Sequence, residues 1–228
     1  MDIMGSVIVS LLPLIIGSAV VPLHVILVVL LLTSEKQPVG KAIGYVSGMT
    51  VVRLAQGVLF GLILTEGGAK ETGSLDAIVS TLLLVLGILL LLSAYKKWAA
   101  EPDPDAPPPK WLTLADKLTP LTAFAMGVGI LLIAAKMWVF TLSAIGVIGE
   151  AQLGQPSSAI AFLLFVLLAQ ALLIISILIR LIFPTRATAL LEGASEWLLT
   201  NNRVIVIAAS LIFGLYFLYK GVTGLLAL

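Results

Sequence analysis

Residues 119–149 read TPLTAFAMGVGILLIAAKMWVFTLSAIGVIG, with a single charge, Lys136, near the middle. About 20 apolar residues wound as a helix cross about 30 Å of hydrocarbon, so this stretch is long enough to span a bilayer. At about 1.5 Å of rise per residue, Lys136 lies on the order of 20 Å from either interface. A lysine side chain cannot snorkel that far. Its ammonium must find a cavity, lose its proton or donate to backbone carbonyls. An ionisable group at this depth is costly and marks a functional site by default.

Five further windows have the same character, roughly 5–33, 41–64, 76–95, 157–183 and 203–226. Sixty per cent of the chain is apolar and eleven per cent is charged, which leaves too little polar surface to coat a soluble protein of 228 residues. The expected fold is an all-α integral membrane protein with six transmembrane helices. The first window lacks a basic leader and is far longer than a signal-peptide core. There is no cysteine and one histidine, His24, so no metal cage is expected and no cofactor is implied. A net charge of +1 argues against a nucleic-acid partner.

The basic residues orient the chain. Lys36, Lys41, Lys96, Lys97, Lys110, Lys117, Arg180, Arg186 and Arg203 fall on one side, against Lys70 and Lys220 on the other. Cytoplasmic loops collect Lys and Arg, so both termini are expected outside a bacterial inner membrane.

A second cation, Arg53, lies inside the second window, and no Asp or Glu lies in the interior of any window. Two membrane cations without an acidic partner leave a negative charge to be supplied by a substrate. Gln56 and Gly57 follow Arg53 at three and four residues, on the same helix face. A guanidinium offers a planar set of donors to carboxylate, sulfate or phosphate oxygens. Pro13, Gly17 and Pro22 interrupt the first window, and a kink at Pro22 would gather Ser18 and His24 into a polar pocket. The candidate substrate-binding residues are therefore Arg53, Lys136, Gln56, Gln170, Ser18 and His24. The candidate hinges are Pro22, Pro13, Gly127 and Gly129. Gly40, Gly44 and Gly48 recur every four residues and read as a helix-packing seam.

An internal repeat is visible. Moved by 114 positions, Leu54-Ala55-Gln56 falls on Leu168-Ala169-Gln170, Gly40 on Gly154 and Pro22 on Lys136; moved by 127, Gly87 falls on Gly214. The thirteen-residue difference matches an insert between the fifth and sixth windows. Three spans per half make the second half inverted, an arrangement that puts a transporter's site near midplane. The expected organisation is a first repeat over 1–95, a Pro-rich cytoplasmic linker over 96–118 and a second repeat over 119–228. Within the second repeat, residues at about 185–200 read as a short amphipathic helix along the cytoplasmic interface, with Leu190, Leu191, Ala194, Trp197 and Leu198 on its apolar face.

Pro22-Leu23-His24, the Gly40–Gly48 row, Ala134-Ala135-Lys136, Trp197-Leu198 and the Gly214…Gly221…Leu225 end together resemble the GAP-type proteins (Sap, sulfolipid-addressing) of the LysE exporter superfamily. The resemblance spans nearly the whole chain. It implies six helices in two inverted repeats and, from mycobacterial members, movement of glycopeptidolipid or sulfolipid to the cell surface. Lysine exporters carry Asn-Pro-Lys in the fourth span and Pro-Gly-Pro in the first. Here those places hold Ala134-Ala135-Lys136 and Val21-Pro22-Leu23, and no membrane carboxylate is present to receive an amino group.

The expected function is a secondary transporter or exporter of an anionic or amphipathic solute, with a lipid or glycolipid as one form of it. A non-transporting accessory protein of a lipid-export machine is the alternative, and amino-acid export is weaker. No nucleophile–base pair or carboxylate dyad is visible, so no enzyme is expected. Expected partners are membrane lipids, the anionic or amphipathic substrate and further copies of the chain.

Overall fold

The computed structural model describes residues 3–66, 72–100 and 115–228. Among them the chain is helical: α1 (Ile3–Ala19), α2 (Pro22–Thr33), α3 (Pro38–Glu66), α4 (Thr72–Ala99), α5 (Pro120–Ile133), α6 (Ala135–Glu150), α7 (Ser157–Ala169), α8 (Ala171–Ile182) and α9 (Pro184–Leu226), with a 3₁₀ turn at Ala115–Lys117. Most of the linker, residues 101–114, and the loop cation Lys70 lie outside the described residues.

Proline sets several of the helix starts. Pro22, Pro38, Pro120 and Pro184 each open a helix, where the missing N–H costs nothing and the fixed φ is already helical. Thr119 caps α5 by accepting from the Thr122 N–H at 3.2 Å, and Thr122 Oγ1 accepts from the Thr119 N–H at 2.7 Å. This reciprocal box satisfies donors that the helix end would otherwise leave open.

Three helices are long and apolar enough to cross a membrane: α3, α4 and α9. Three bent pairs have the same length and character: α1–α2 bent by 58°, α5–α6 by 77° and α7–α8 by 62°. The molecule is therefore a helical membrane protein. Five of the six sequence windows fall within a few residues of these units, and the sixth, 203–226, covers only the second half of α9.

Small residues decide the closest contacts. A Cβ at Gly44 would run into the Pro120 carbonyl, one at Gly48 into the Phe124 carbonyl and one at Gly127 into the Tyr45 carbonyl. The α3 and α5 backbones therefore touch, as the Gly40–Gly48 row predicts. On α4 and α9 the same device recurs: Gly87 packs on Leu218, Gly214 on Leu91 and Gly221 on Leu84. Without a solvent-driven hydrophobic term between spans, such backbone approach supplies the dispersion contact that holds them together. Phe140, Phe165 and Phe217 fill the centre.

Three expectations change. Residues 185–200 are helical but are not a separate element, because α9 runs unbroken through them into the last span. Their packed stripe is Ala187, Leu191 and Ser195, while Leu190 and Trp197 stay exposed. The cause is spacing: residues four apart share the helix face turned to the bundle. Pro13 lies inside a continuous α1 and makes no hinge. Gly127 and Gly129 lie inside α5, where Gly127 serves the α3 contact and Gly129 meets nothing within 4 Å. The bend falls instead at Ala134.

Candidate functional site

Two of the bends meet. A cavity of about 60 Å³ is lined by Gly17, Val20, Val21 and Pro22 from the α1–α2 elbow and by Lys136, Met137 and Phe140 from the start of α6. Leu90 of α4 and Val206, Ala209, Ser210 and Phe213 of α9 close its other walls. The starts of α2 and α6 thus both border one space. A helix start carries about half a positive charge on its unsatisfied N–H groups. No carboxylate among the described residues lines the cavity. No hydrogen bond or ion pair holds the Lys136 side chain among the described residues.

The interruption at Val20–Val21 follows from Pro22, which opens α2 with Val21 in extended backbone as its cap. The bend at Ala134 has no proline. Ala134 takes a non-helical ψ of 87° and closes α5 with its N–H on the Ile130 carbonyl. Its own carbonyl then accepts from the Met137 N–H at 2.8 Å, restarting the helix as α6.

Arg53 does not line this cavity. Its side chain is 1% exposed. Nη2 donates to Ser18 Oγ at 2.7 Å and reaches Met137 Sδ at 4.0 Å, and the guanidinium carbon stands 5.6 Å from the Phe165 ring centre. A guanidinium over an aromatic face gains about 0.5–2 kcal/mol, more when desolvated. Nε and Nη1 of Arg53 have no partner among the described residues. Arg53 and Lys136, both read as substrate-binding residues, therefore do not share one cavity: Arg53 sits behind its wall, linked to it through Ser18, next to Gly17, and through Met137, next to Lys136.

The other candidates disperse. His24 is buried and pairs through Nδ1 with Tyr45 Oη at 2.7 Å, away from the cavity lining. Gln170 forms the break between α7 and α8; its Nε2 donates to Thr50 Oγ1 at 3.2 Å and to the Val166 carbonyl at 3.3 Å. Gln56 is also buried, but neither its Oε1 nor its Nε2 has a partner, so the two glutamines do not bond each other. Ser143 Oγ on α6 is likewise unpaired.

Tyr45, Thr50 and Phe165 were absent from the sequence reading. Tyr45 had a signal: a phenol in an apolar span needs a partner for its hydroxyl, and His24 is the chain's one imidazole. Lys41, read only as a helix-end cation, is 1% exposed and donates to Ser34 Oγ at 3.1 Å and to the Ala115 carbonyl at 2.9 Å. It ties the turn after α2 to the 3₁₀ turn before α5.

Discontinuous apolar spans whose elbows enclose a cationic cavity define a class of helical membrane protein. Within that class, the chain belongs to the Sap, sulfolipid-1-addressing protein family, whose family model matches residues 11–223. No curated protein and no solved structure matches it.

Proposed function

We infer that this protein is a secondary exporter of an anionic or amphipathic solute, with a lipid as the cargo that the family name favours. The observation that carries the reading is the cavity where the starts of α2 and α6 converge on Lys136 with no carboxylate in the lining. Half-helix starts near midplane are the device by which transporters hold anionic groups. Lys136 is the direct ligand. Arg53 stands one layer behind, with Nε and Nη1 still open, and adds positive potential through the same wall.

Two inverted repeats are part of this reading, and the packing supports them. Gly87 abuts Leu218 and Gly214 abuts Leu91, which are the same contact under the 127-residue shift. The pairings of α1 with α7 and of α5 with α3 are likewise exchanged when one half is laid on the other, as are those of α2 with α9 and of α6 with α4. Both termini outside an inner membrane, membership of the LysE exporter superfamily and the absence of enzymatic chemistry belong to the same reading.

One observation favours the accessory alternative. α9 has 43 residues, or about 65 Å at 1.5 Å per residue, roughly twice the hydrocarbon thickness. Its first turns could dock a larger export machine. Purified protein in liposomes separates the two: an exporter moves an anionic amphiphile without partners and loses that activity in Lys136→Gln. Full activity in Lys136→Gln would discard the anion site.

A further inference from the structure

We propose that the Lys136 cavity is loaded sideways from the bilayer. Its occupant is then the net-anionic sulfate or phosphate headgroup of a lipid whose chains stay in the hydrocarbon. This rests on the export reading above and names its substrate class and route.

Three features of the cavity carry the proposal. The first is its rim. The floor is closed by Leu90, Met137, Phe140 and Ser210, all buried. Val20 on the α1–α2 elbow is 36% exposed, and Val21, Lys136, Val206 and Ala209 are half-buried, so the open side lies between the elbow and α9. The second is the depth of that side. Along the same helices Ile16 (46%), Leu23 (40%) and Ile212 (65%) are exposed and apolar. Side chains of this kind in the middle of a span meet acyl chains, so the mouth opens onto hydrocarbon. The third is size. A cavity of about 60 Å³ holds a few waters or one sulfate- or phosphate-sized group. It has no room for the rest of an amphiphile.

These features select the occupant. A free inorganic anion would have to cross hydrocarbon to reach this mouth, at a desolvation cost of many kcal/mol. A lipid already has its chains at the mouth and needs only to sink its headgroup along the elbow. The Lys136 ammonium then compensates the charge where the headgroup would otherwise be least stable. Ala209 and Val20, small residues on opposite lips, set the width of the passage.

The experiment uses the full chain in phosphatidylcholine nanodiscs and reads thermal unfolding. The discs are doped with sulfatide, with the uncharged galactosylceramide, or with neither while excess potassium sulfate is added. The expected result is a raised melting temperature with sulfatide only. Ala209→Trp and Val20→Trp, which fill the mouth from either side, should lose that shift, while Leu211→Trp on the exposed face of α9 should keep it. Because the chain has no native cysteine, a spin label on Ala209→Cys reports the mouth directly. It should collide often with oxygen and rarely with a water-soluble nickel chelate.

A sulfatide shift that survives both tryptophans would overturn the lateral route. So would an equal shift with free sulfate, or a label that sees nickel and not oxygen. In those cases the anion-export reading stands as long as liposome export still needs Lys136. If export survives Lys136→Gln, that reading falls on its own.

Discussion

Gly127→Ala offers a sharp test because the same helix supplies its control. A methyl group at Gly127 would strike the Tyr45 carbonyl, with the carbonyl carbon at 3.0 Å and the Met49 nitrogen at 3.3 Å. These are backbone atoms of α3, so no rotamer change relieves the contact; one helix must move off the other. Overpacking of this kind costs about 1–3 kcal/mol, and a rigid obstacle puts it in the upper part of that range. Against it stands the gain of replacing glycine inside a helix, up to about 1 kcal/mol. The net is a loss of about 1–2 kcal/mol, or roughly 2–8 °C in melting temperature at about 2–4 °C per kcal/mol. Gly129→Ala, two residues on, meets nothing within 4 Å and keeps only the gain. It should leave melting unchanged or raise it by a few degrees. The assay is thermal unfolding of both variants in one detergent, followed by intrinsic fluorescence. Equal shifts in the two variants would refute the backbone seam and restore the view of these glycines as hinges.

Three other expectations follow from the same contacts. Lys136→Gln removes a charge that no group among the described residues holds, so the empty protein should melt no lower than wild type, whereas Arg53→Gln breaks the Ser18 bond and the Phe165 contact and should cost about 1–3 kcal/mol in the same assay. Gln56→Leu deletes two buried, unpaired amide atoms and should stabilise the protein or leave it unchanged, while Gln170→Leu, which loses two hydrogen bonds, should lower the melting temperature. For topology, Glu150→Cys should react with an impermeant thiol reagent in intact cells and Ala99→Cys should not; both positions are exposed, and the reverse pattern would invert the assigned orientation.

The spans were legible because hydropathy alone selects them. The windows at 41–64 and 157–183 fall within a few residues of α3 and of α7–α8. One elbow had a local signal, since Pro22 has no N–H to bond the preceding turn, although Pro13 carries the same signal and α1 runs through it. The elbow at Ala134 was not. Alanine favours helix, and its break is a tertiary outcome that no local residue announces. Glycines 127 and 129 drew the hinge reading because they are flexible in water, whereas in a span a glycine more often admits a neighbouring backbone. The break at Gln170 was equally silent: Gln56, its counterpart in the repeat, lies in an α3 that does not bend.

The two cations also separate in a way that residue type could not announce. Both looked alike in the sequence, as unpaired charges at similar depth. Arg53 has a fork that can bond, stack and still leave donors free, so the protein satisfies part of it with Ser18 and Phe165 and buries it almost completely. Lys136 presents a compact ammonium at a bend, where no carboxylate lines the space and no hydrogen bond holds its side chain among the described residues. Arg53 is satisfied only in part, since Nε and Nη1 find no partner among the described residues, but its Ser18 and Phe165 contacts fix it in a structural place. A charge left open on a cavity raises the energy of the empty state, and any anion that reaches it lowers that energy. Under the export reading, the same imbalance would give the protein its hold on an anion. It also places the demand for charge on Lys136, with Arg53 holding α1, α6 and α7 around the elbow where that demand is met.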